Sequence, residues 1–339
     1  MLGARVPSIA GALPGRKPLR LHASAVQVAN ETRSERLERA KGYPYVRPSS
    51  SFVFVNGIAV TFDDSAWRGV EHMREIAIKE ENKKPSCKKL GDLFDSMGVS
   101  EVVPTNESEY VKVLAIGSNA GPEQLHRKFP ADVFPDGVVI PTVQGVLHDF
   151  DVVYAPLLSS YGSCTATLEY SPGASVGIFV TYLTDPLMER MNTTEGAYDL
   201  CELSDLDLDL GISLESWRNG GKGTEKLNRI YQYNHQNGTL HMPSTGSPVA
   251  LKAIAAHHRA FPELDQVEML SLVKTTLSKE ASNGRASPVD LDDWMLEYLE
   301  NEPIRIELVK KLSNLAQPFK YEKSEVLATL GDEFSKNTK

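Results

Sequence analysis

Two short groups of residues in this chain have types that could bind an anion and move a proton. The first is Gly117-Ser118-Asn119, which follows an apolar strand candidate at 111–116 and precedes residues 122–128, whose composition is that of a helix start. Backbone N–H groups in such a loop can stabilise a negative charge without reorganising, and the helix dipole would add to this. The second is Glu195-Gly196, a carboxylate beside a glycine that lets the backbone pass close to a small molecule.

Both groups need a packed scaffold, and the chain can supply one. It has 339 residues, 41% hydrophobic and 24% charged, enough for one large or two modest domains. Gly, Pro and Ser separate strand candidates at 138–147, 150–154, 165–170, 176–182 and 198–203, which together suggest a compact, mostly antiparallel barrel or sheet. Helical spacing or composition predicts helices at 185–191, 249–256 and 267–277, and a helical tail from residue 291 onward.

Short local patterns also predict the structure of the N-terminal extension and of one later turn. Asn56-Gly57 lies at the centre of 52–62 and predicts a hairpin, because these residue types readily take positive φ. The apolar spacing of 67–81 predicts a helix, and 90–97 another helical turn. Residues 43–51 have the composition of a linker, and a second hairpin is expected across Asn237-Gly238.

The residues around the first group carry a resemblance to a known family. Residues 114–119, Leu-Ala-Ile-Gly-Ser-Asn, followed by Pro-Glu-Gln-Leu, resemble the Tyr-Gly-Ser-Asn opening of the γ-glutamylcyclotransferase-like superfamily. Further segments recur in that family's order and approximate spacing: Ala166-Thr167-Leu168, Ser171-Pro172-Gly173, Val176-Gly177, Leu183-Thr184, Thr194-Glu195-Gly196, Tyr198, Ser247-Pro248-Val249-Ala250-Leu251 and Phe261-Pro262. The last two are similar to the closing helix region of the family's domain. The resemblance covers roughly residues 111–261.

The resemblance implies an α+β fold with a mixed β-barrel and flanking helices, to which this chain adds an N-terminal extension and a C-terminal helical tail. It also implies a reaction: a γ-glutamyl group's own α-amine attacks its γ-carbonyl, which closes 5-oxoproline and releases an amine or peptide, as in glutathione metabolism. Glu195 is then the general acid/base, because the α-ammonium must lose a proton before its nitrogen can attack. The implied substrate-binding residues are Ile116, Gly117, Ser118, Asn119 and Tyr198. No metal or organic cofactor is expected.

One departure from the family's pattern bears on activity. Ile116 stands where the family usually carries a tyrosine, so a hydroxyl is lost there. Tyr198, Tyr231 or Tyr233 could supply a phenol instead, although an aromatic residue on a strand more often packs in a core. The alternative function is therefore a non-catalytic small-molecule or peptide-binding module on the same fold. Ser118 as a covalent nucleophile is disfavoured, because no Gly-x-Ser-x-Gly elbow surrounds it.

Several other residues have side chains that could take part in chemistry, but each of them has a simpler structural explanation. Cys164 is expected to be a buried structural thiol, and the Gly-rich loop at 218–224 lacks the phosphate-loop spacing. The alternating aspartates at 205–209 read as a solvated edge or loop rather than a metal site. Four histidines lie loosely grouped without a known ligand spacing: His235, His241, His257 and His258.

The composition excludes two classes of partner, nucleic acids and the membrane interior. The formal net charge of −9 argues against a nucleic-acid surface, and the longest apolar runs are too short to span a membrane. The expected partner is a small γ-glutamyl substrate, and the oligomeric state stays open.

Residues 1–30 contain four Arg or Lys residues and no acidic residue, as in an organelle transit peptide, although an ordinary disordered N-terminus is the alternative. The expected location is cytoplasmic or organellar, in a mitochondrion or plastid. The predicted division is 1–42 leader, 43–108 extension, 109–265 cyclotransferase-like domain and 266–339 tail.

Overall fold

The computed structural model describes residues 31–79, 87–281 and 289–331. The N-terminal part holds helix α1 (Arg33–Lys41), strands β1 (Phe52–Val55) and β2 (Ile58–Thr61), and helix α2 (Leu90–Ser96). The central part runs through β3 (Val111–Ala115), α3 (Pro122–Lys128), β4 (Val139–Leu158), β5 (Cys164–Leu183), α4 (Asp185–Asn192), β6 (Tyr198–Leu210), α5 (Leu214–Arg218) and β7 (Glu225–His235). The predicted transit segment at 1–30 lies outside the described residues.

Short strands and three helices complete the described chain. They are β8 (Thr239–Met242), β9 (Ser247–Pro248), β10 (Ala250–Leu251), β11 (Ala256–His257), β12 (Glu263–Leu264), α6 (Gln266–Ala281), α7 (Leu291–Glu300), α8 (Glu302–Ser313), β13 (Ala316–Gln317) and β14 (Ser324–Thr329). Within the three described ranges, no helix has both the length and the apolar composition that crossing a bilayer requires.

Five strands close into a barrel. Strand β5 pairs with β3, β3 with β7, β7 with β6, β6 with β4, and β4 returns to β5. The β3–β7 pairing is parallel and the other four pairings are antiparallel, so the barrel is mixed. The expected α+β class, with a mixed barrel and flanking helices, is confirmed.

The segments on either side of the barrel join its sheet. Strand β1 pairs with β4, with Val55 opposite Val139, and β14 pairs with β6, with Ser324 opposite Leu203. A single hydrophobic cluster contains Phe52 of β1, Val113 of β3 and Tyr298 of α7, all of them buried. The tail therefore contains strands as well as helices, and the boundaries of the four predicted domains stay a prediction.

Several local predictions are confirmed. The hairpin at 52–62 forms, with Asn56 at φ 46° and Gly57 at φ 92°, the positive values that its turn requires. The strand, tight loop and helix order of 111–128 is also present, as are the helices expected at 90–97, 185–191 and 267–277. The separate strands predicted between 138 and 182 are instead the two long strands β4 and β5.

Three local predictions are wrong, because contacts with distant segments override local spacing. The described part of 67–81 forms a 3-10 helix at Val70–Glu75 rather than an α-helix, and it continues into β-bridges from Ile78 to Phe62 and from Ala77 to Lys89. Residues 249–256, the expected closing helix, instead hold the short strands β10 and β11 with a turn between them, and Ala250 N–H bonds to Pro262 O. The second hairpin is absent: β7 pairs with β3 and β6, whereas β8 pairs with β9 and β13. The expected linker at 43–51 forms no helix or strand, and its first residue, Tyr43, is buried.

Candidate functional site

The order of strands in the barrel brings the Gly117–Asn119 loop and Glu195 close together. Strand β7 lies between β3 and β6, running parallel to β3 and antiparallel to β6. The end of β3 and the start of β6 consequently lie at the same end of the barrel. The Gly117–Asn119 loop follows the first of these strands, and Glu195 lies in the turn that precedes the second.

A cavity of about 140 Å³ opens at this end of the barrel. Every residue that the sequence assigned to the site lines it: Ile116, Gly117, Ser118, Asn119, Glu195 and Tyr198. Tyr233 also lines the cavity, whereas Tyr231 is not among its lining residues. The sequence-predicted residues are therefore neighbours, although their roles in binding or catalysis stay predictions.

The Glu195 carboxylate is almost fully buried and one of its oxygens is held on two sides. Asn119 Nδ2 donates a hydrogen bond of 2.9 Å to Oε1, and Lys128 Nζ forms an ion pair with the same oxygen. No hydrogen bond within the described residues uses the second oxygen, Oε2. This arrangement fixes the carboxylate and leaves one oxygen for a ligand.

Lys128 is a site residue that sequence reasoning missed. It is the last residue of α3, next to Arg127, and a basic pair at a helix end usually marks a solvated surface. Here the Lys128 side chain is only 7% exposed. The Arg190 Nε atom donates a hydrogen bond of 2.7 Å to the Lys128 carbonyl, which ties α4 to the end of α3. Nothing in local spacing would have revealed this contact.

The loop after β3 is a short 3-10 turn whose own hydrogen bonds leave donors free. Ala120 N–H donates to Gly117 O at 3.2 Å and Gly121 N–H donates to Ser118 O at 2.8 Å. Among the described residues, the amides of Gly117, Ser118 and Asn119 have no acceptor. The buried Asn119 Oδ1 also lacks a partner there. The loop can therefore still donate to a ligand oxygen and accept from a ligand donor.

Tyr43 is the second residue that the sequence did not assign to the site. Its side chain reaches the cavity from the segment after α1, and its hydroxyl oxygen accepts a 2.9 Å hydrogen bond from Ala166 N–H. A Cβ at position 117 would lie 2.4 Å from this oxygen, so the phenol is packed directly against Gly117. Ile116 is buried and lines the cavity without a polar group. A phenol thus reaches the loop from outside the predicted core domain.

Tyr198 and Tyr233, two of the tyrosines considered as substitutes for the hydroxyl lost at Ile116, form hydrogen bonds with other protein groups. The Tyr198 hydroxyl is 2.7 Å from Thr165 Oγ1 and 3.0 Å from the Ala166 carbonyl. The Tyr233 hydroxyl donates to Asn192 Oδ1 at 2.6 Å. Both side chains are therefore held by protein partners at the cavity wall.

The other candidates lie outside the cavity. Burial raises the pKa of the Cys164 thiol to about 12, which fits the expected structural role. Of the aspartates read as a solvated edge, Asp209 is a buried part of strand β6, so that interpretation is wrong there. Asp209, Asp207 and His148 bring potential metal ligands within 4.8 Å of one another. The Lys226 ammonium already pairs with both carboxylates, at 2.7 Å from Asp207 Oδ1 and 3.4 Å from Asp209 Oδ1.

Comparison with known proteins gives limited matches. No family model and no curated protein sequence matches this chain. A solved structure named "Gamma-glutamyl cyclotransferase" is 15% identical, with a TM-score of 0.27, over 66% of this chain and 96% of that chain. An uncharacterized protein from Homo sapiens is 15% identical, with a TM-score of 0.29 and the same coverage. Similarity at this level assigns this chain neither a family nor an activity.

Proposed function

We propose that this protein is a γ-glutamylcyclotransferase-type enzyme that converts a γ-glutamyl amine or peptide to 5-oxoproline and the free amine. One observation carries the proposal: Glu195 and the Gly117–Asn119 loop line the same cavity. A carboxylate and a set of unpaired amide donors are the two groups that this cyclisation needs. The resemblance of residues 111–261 to the cyclotransferase-like pattern supports the choice of substrate class.

The residues take the following parts in the proposed reaction. The α-amine nitrogen forms a bond to the γ-carbonyl carbon, and the bond from that carbon to the released amine breaks. The α-nitrogen loses two protons, which end on the released amine as it leaves as an ammonium. Glu195 Oε2 carries a proton at each transfer, while Asn119 and Lys128 hold Oε1 in place. The loop amides stabilise the oxyanion formed by the addition.

The variant Glu195→Gln tests the proposed base. Glutamine keeps a side-chain oxygen that can accept from Lys128 and Asn119, but it cannot carry the proton. We expect 5-oxoproline release from a panel of γ-glutamyl amino acids and glutathione, followed by mass, to fall on the order of 100-fold or more. The matched control is Glu123→Gln, which changes an exposed carboxylate of α3 that pairs with Arg127. Undiminished release by the Glu195 variant would refute the assignment.

A second candidate function is binding without turnover. Two observations favour it: Tyr43 enters the cavity from the N-terminal segment, and Lys128 already neutralises Glu195. Calorimetric titration of the intact protein with 5-oxoproline and with the γ-glutamyl panel distinguishes the two functions. Binding of a γ-glutamyl compound that remains uncleaved would support the binding function and contradict the enzymatic one.

A further inference from the structure

We propose that Tyr43 is a further catalytic residue, whose hydroxyl donates a hydrogen bond to the γ-carbonyl oxygen of a ligand held at the Gly117–Asn119 loop. The inference rests on the proposed function and adds a donor from a segment outside the cyclotransferase-like region. Such a donor would stabilise the oxyanion together with the loop amides.

The hydrogen bonds of Tyr43 leave its proton unused. Ala166 N–H donates to the phenolic oxygen at 2.9 Å, which fixes the position of the oxygen. No described residue accepts the hydroxyl proton. Because this oxygen lies against Gly117, a ligand oxygen bound at the loop amides would be within reach of the same hydroxyl.

The surroundings of Tyr43 favour a donor rather than a base. Burial raises the pKa of the Tyr43 phenol well above its usual value, and the neighbouring Tyr198 and Glu195 raise it further. The hydrogen bond from Ala166 N–H lowers the pKa, but its effect is smaller than that of burial and that of Tyr198. The phenol therefore keeps its proton at neutral pH and can offer it to a developing negative charge.

Helix α1 holds Tyr43 in place by contacts with the C-terminal part of the chain. Arg33 Nε lies 2.8 Å from Glu300 Oε1, and Lys41 Nζ lies 2.5 Å from Asp292 Oδ1, both on α7. The Ser163 hydroxyl donates to the Ala40 carbonyl at 2.8 Å, which joins the helix to the turn between β4 and β5. These contacts tie the N-terminal segment to the mouth of the barrel, so Tyr43 has a defined position.

The variant Tyr43→Phe tests the proposal, since it removes the hydroxyl and keeps the ring. We expect kcat to fall on the order of 100-fold, the usual effect of losing one oxyanion donor, with KM nearly unchanged. The matched control is Tyr45→Phe, because Tyr45 packs its ring on Tyr43 at 5.9 Å but does not line the cavity. That control should keep the wild-type kcat.

The outcomes separate this inference from the proposed function. A wild-type protein that releases no 5-oxoproline from any member of the panel overturns both. An active wild type with an equally active Tyr43→Phe variant overturns the role of Tyr43 alone. If that variant fails to fold, site-specific Tyr43→3-fluorotyrosine replaces it and keeps both ring and hydroxyl. A more acidic phenol donates a stronger hydrogen bond to an oxyanion, so kcat should rise, and an unchanged kcat would contradict the proposal.

Discussion

Lys128 Nζ and Glu195 Oε1 form a buried ion pair between the end of helix α3 and the turn that follows helix α4. The two side chains are 7% and 10% exposed. Removing Lys128 would leave the buried Glu195 carboxylate with its Asn119 hydrogen bond but with no opposite charge beside it. The candidate site and the stability of this end of the barrel therefore depend on the same contact.

The variant Lys128→Met should destabilise the protein strongly, because it leaves the Glu195 carboxylate buried without its cation. We expect the free energy of unfolding to fall by about 3–5 kcal/mol, measured by urea denaturation. Lys311→Met is the matched control, since Lys311 pairs with Glu307 on an exposed helix face. Its effect should stay below about 1 kcal/mol. Equal losses in the two variants would show that the buried pair has no special role.

The double variant Lys128→Met with Glu195→Gln should be more stable than Lys128→Met alone. The second change removes the uncompensated charge and keeps an amide oxygen that Asn119 Nδ2 can still reach. We expect part of the stability lost by the single variant to return, so that the summed losses of the two single variants exceed the loss of the double variant by roughly 1–3 kcal/mol in a double-mutant cycle. Additive losses in the same denaturation experiment would contradict the pairing.

The variant Gly117→Ala should disturb the cavity through direct contact with Tyr43. The new Cβ would lie 2.4 Å from the Tyr43 hydroxyl oxygen and 3.2 Å from Ala166 Cβ, so the phenol must move. We expect a loss of about 1–3 kcal/mol in the free energy of unfolding. Activity should also fall, because both the loop and the phenol are displaced.

Two comparisons isolate that contact. Gly177→Ala is the control, because its nearest neighbour, Leu214 Cβ, lies at an ordinary contact distance of 3.4 Å. Its effect should remain below about 1 kcal/mol. In a Tyr43→Phe background, Gly117→Ala should cost less, since the nearest remaining ring atom, Tyr43 Cζ, lies 3.4 Å away. An unchanged cost in that background would mean that the clash lies elsewhere.

The sequence predicted the parts of the site that local patterns encode. The strand, loop and helix around Gly117 and the turn that carries Glu195 are set by short runs of residues. The meeting of these two groups depends on β7 lying between β3 and β6. That strand order is a long-range property, and it entered the prediction only through the resemblance to a family.

The residues that the sequence missed owe their positions to distant contacts. Tyr43 belongs to a segment that reads as a linker, yet Ala166 N–H holds its hydroxyl from the start of β5. Lys128 reads as part of a solvated helix end, yet Glu195 lies opposite it. Composition gives only the average preference of a residue type for burial or exposure. These two side chains can be buried because the charge of Lys128 is paired and the hydroxyl of Tyr43 is hydrogen-bonded to one specific distant residue.

His235 should make stability depend on pH in the mildly acidic range. Burial lowers the pKa of this imidazole from 6.5 to about 4. Its Nδ1 accepts a hydrogen bond from Asn237 N–H, which requires that nitrogen to be unprotonated. Between pH 6.5 and 4 the unfolded chain therefore binds a proton at this residue that the folded chain does not bind.

The stabilisation from a neutral His235 is complete above about pH 6.5 and decreases as the pH falls toward 4, by up to roughly 3 kcal/mol. Urea denaturation of the wild type at several pH values should show this slope, and His235→Gln should flatten it. His72→Gln changes an exposed histidine and should leave the slope intact. A wild-type slope that survives in the His235 variant would assign the pH dependence to other groups.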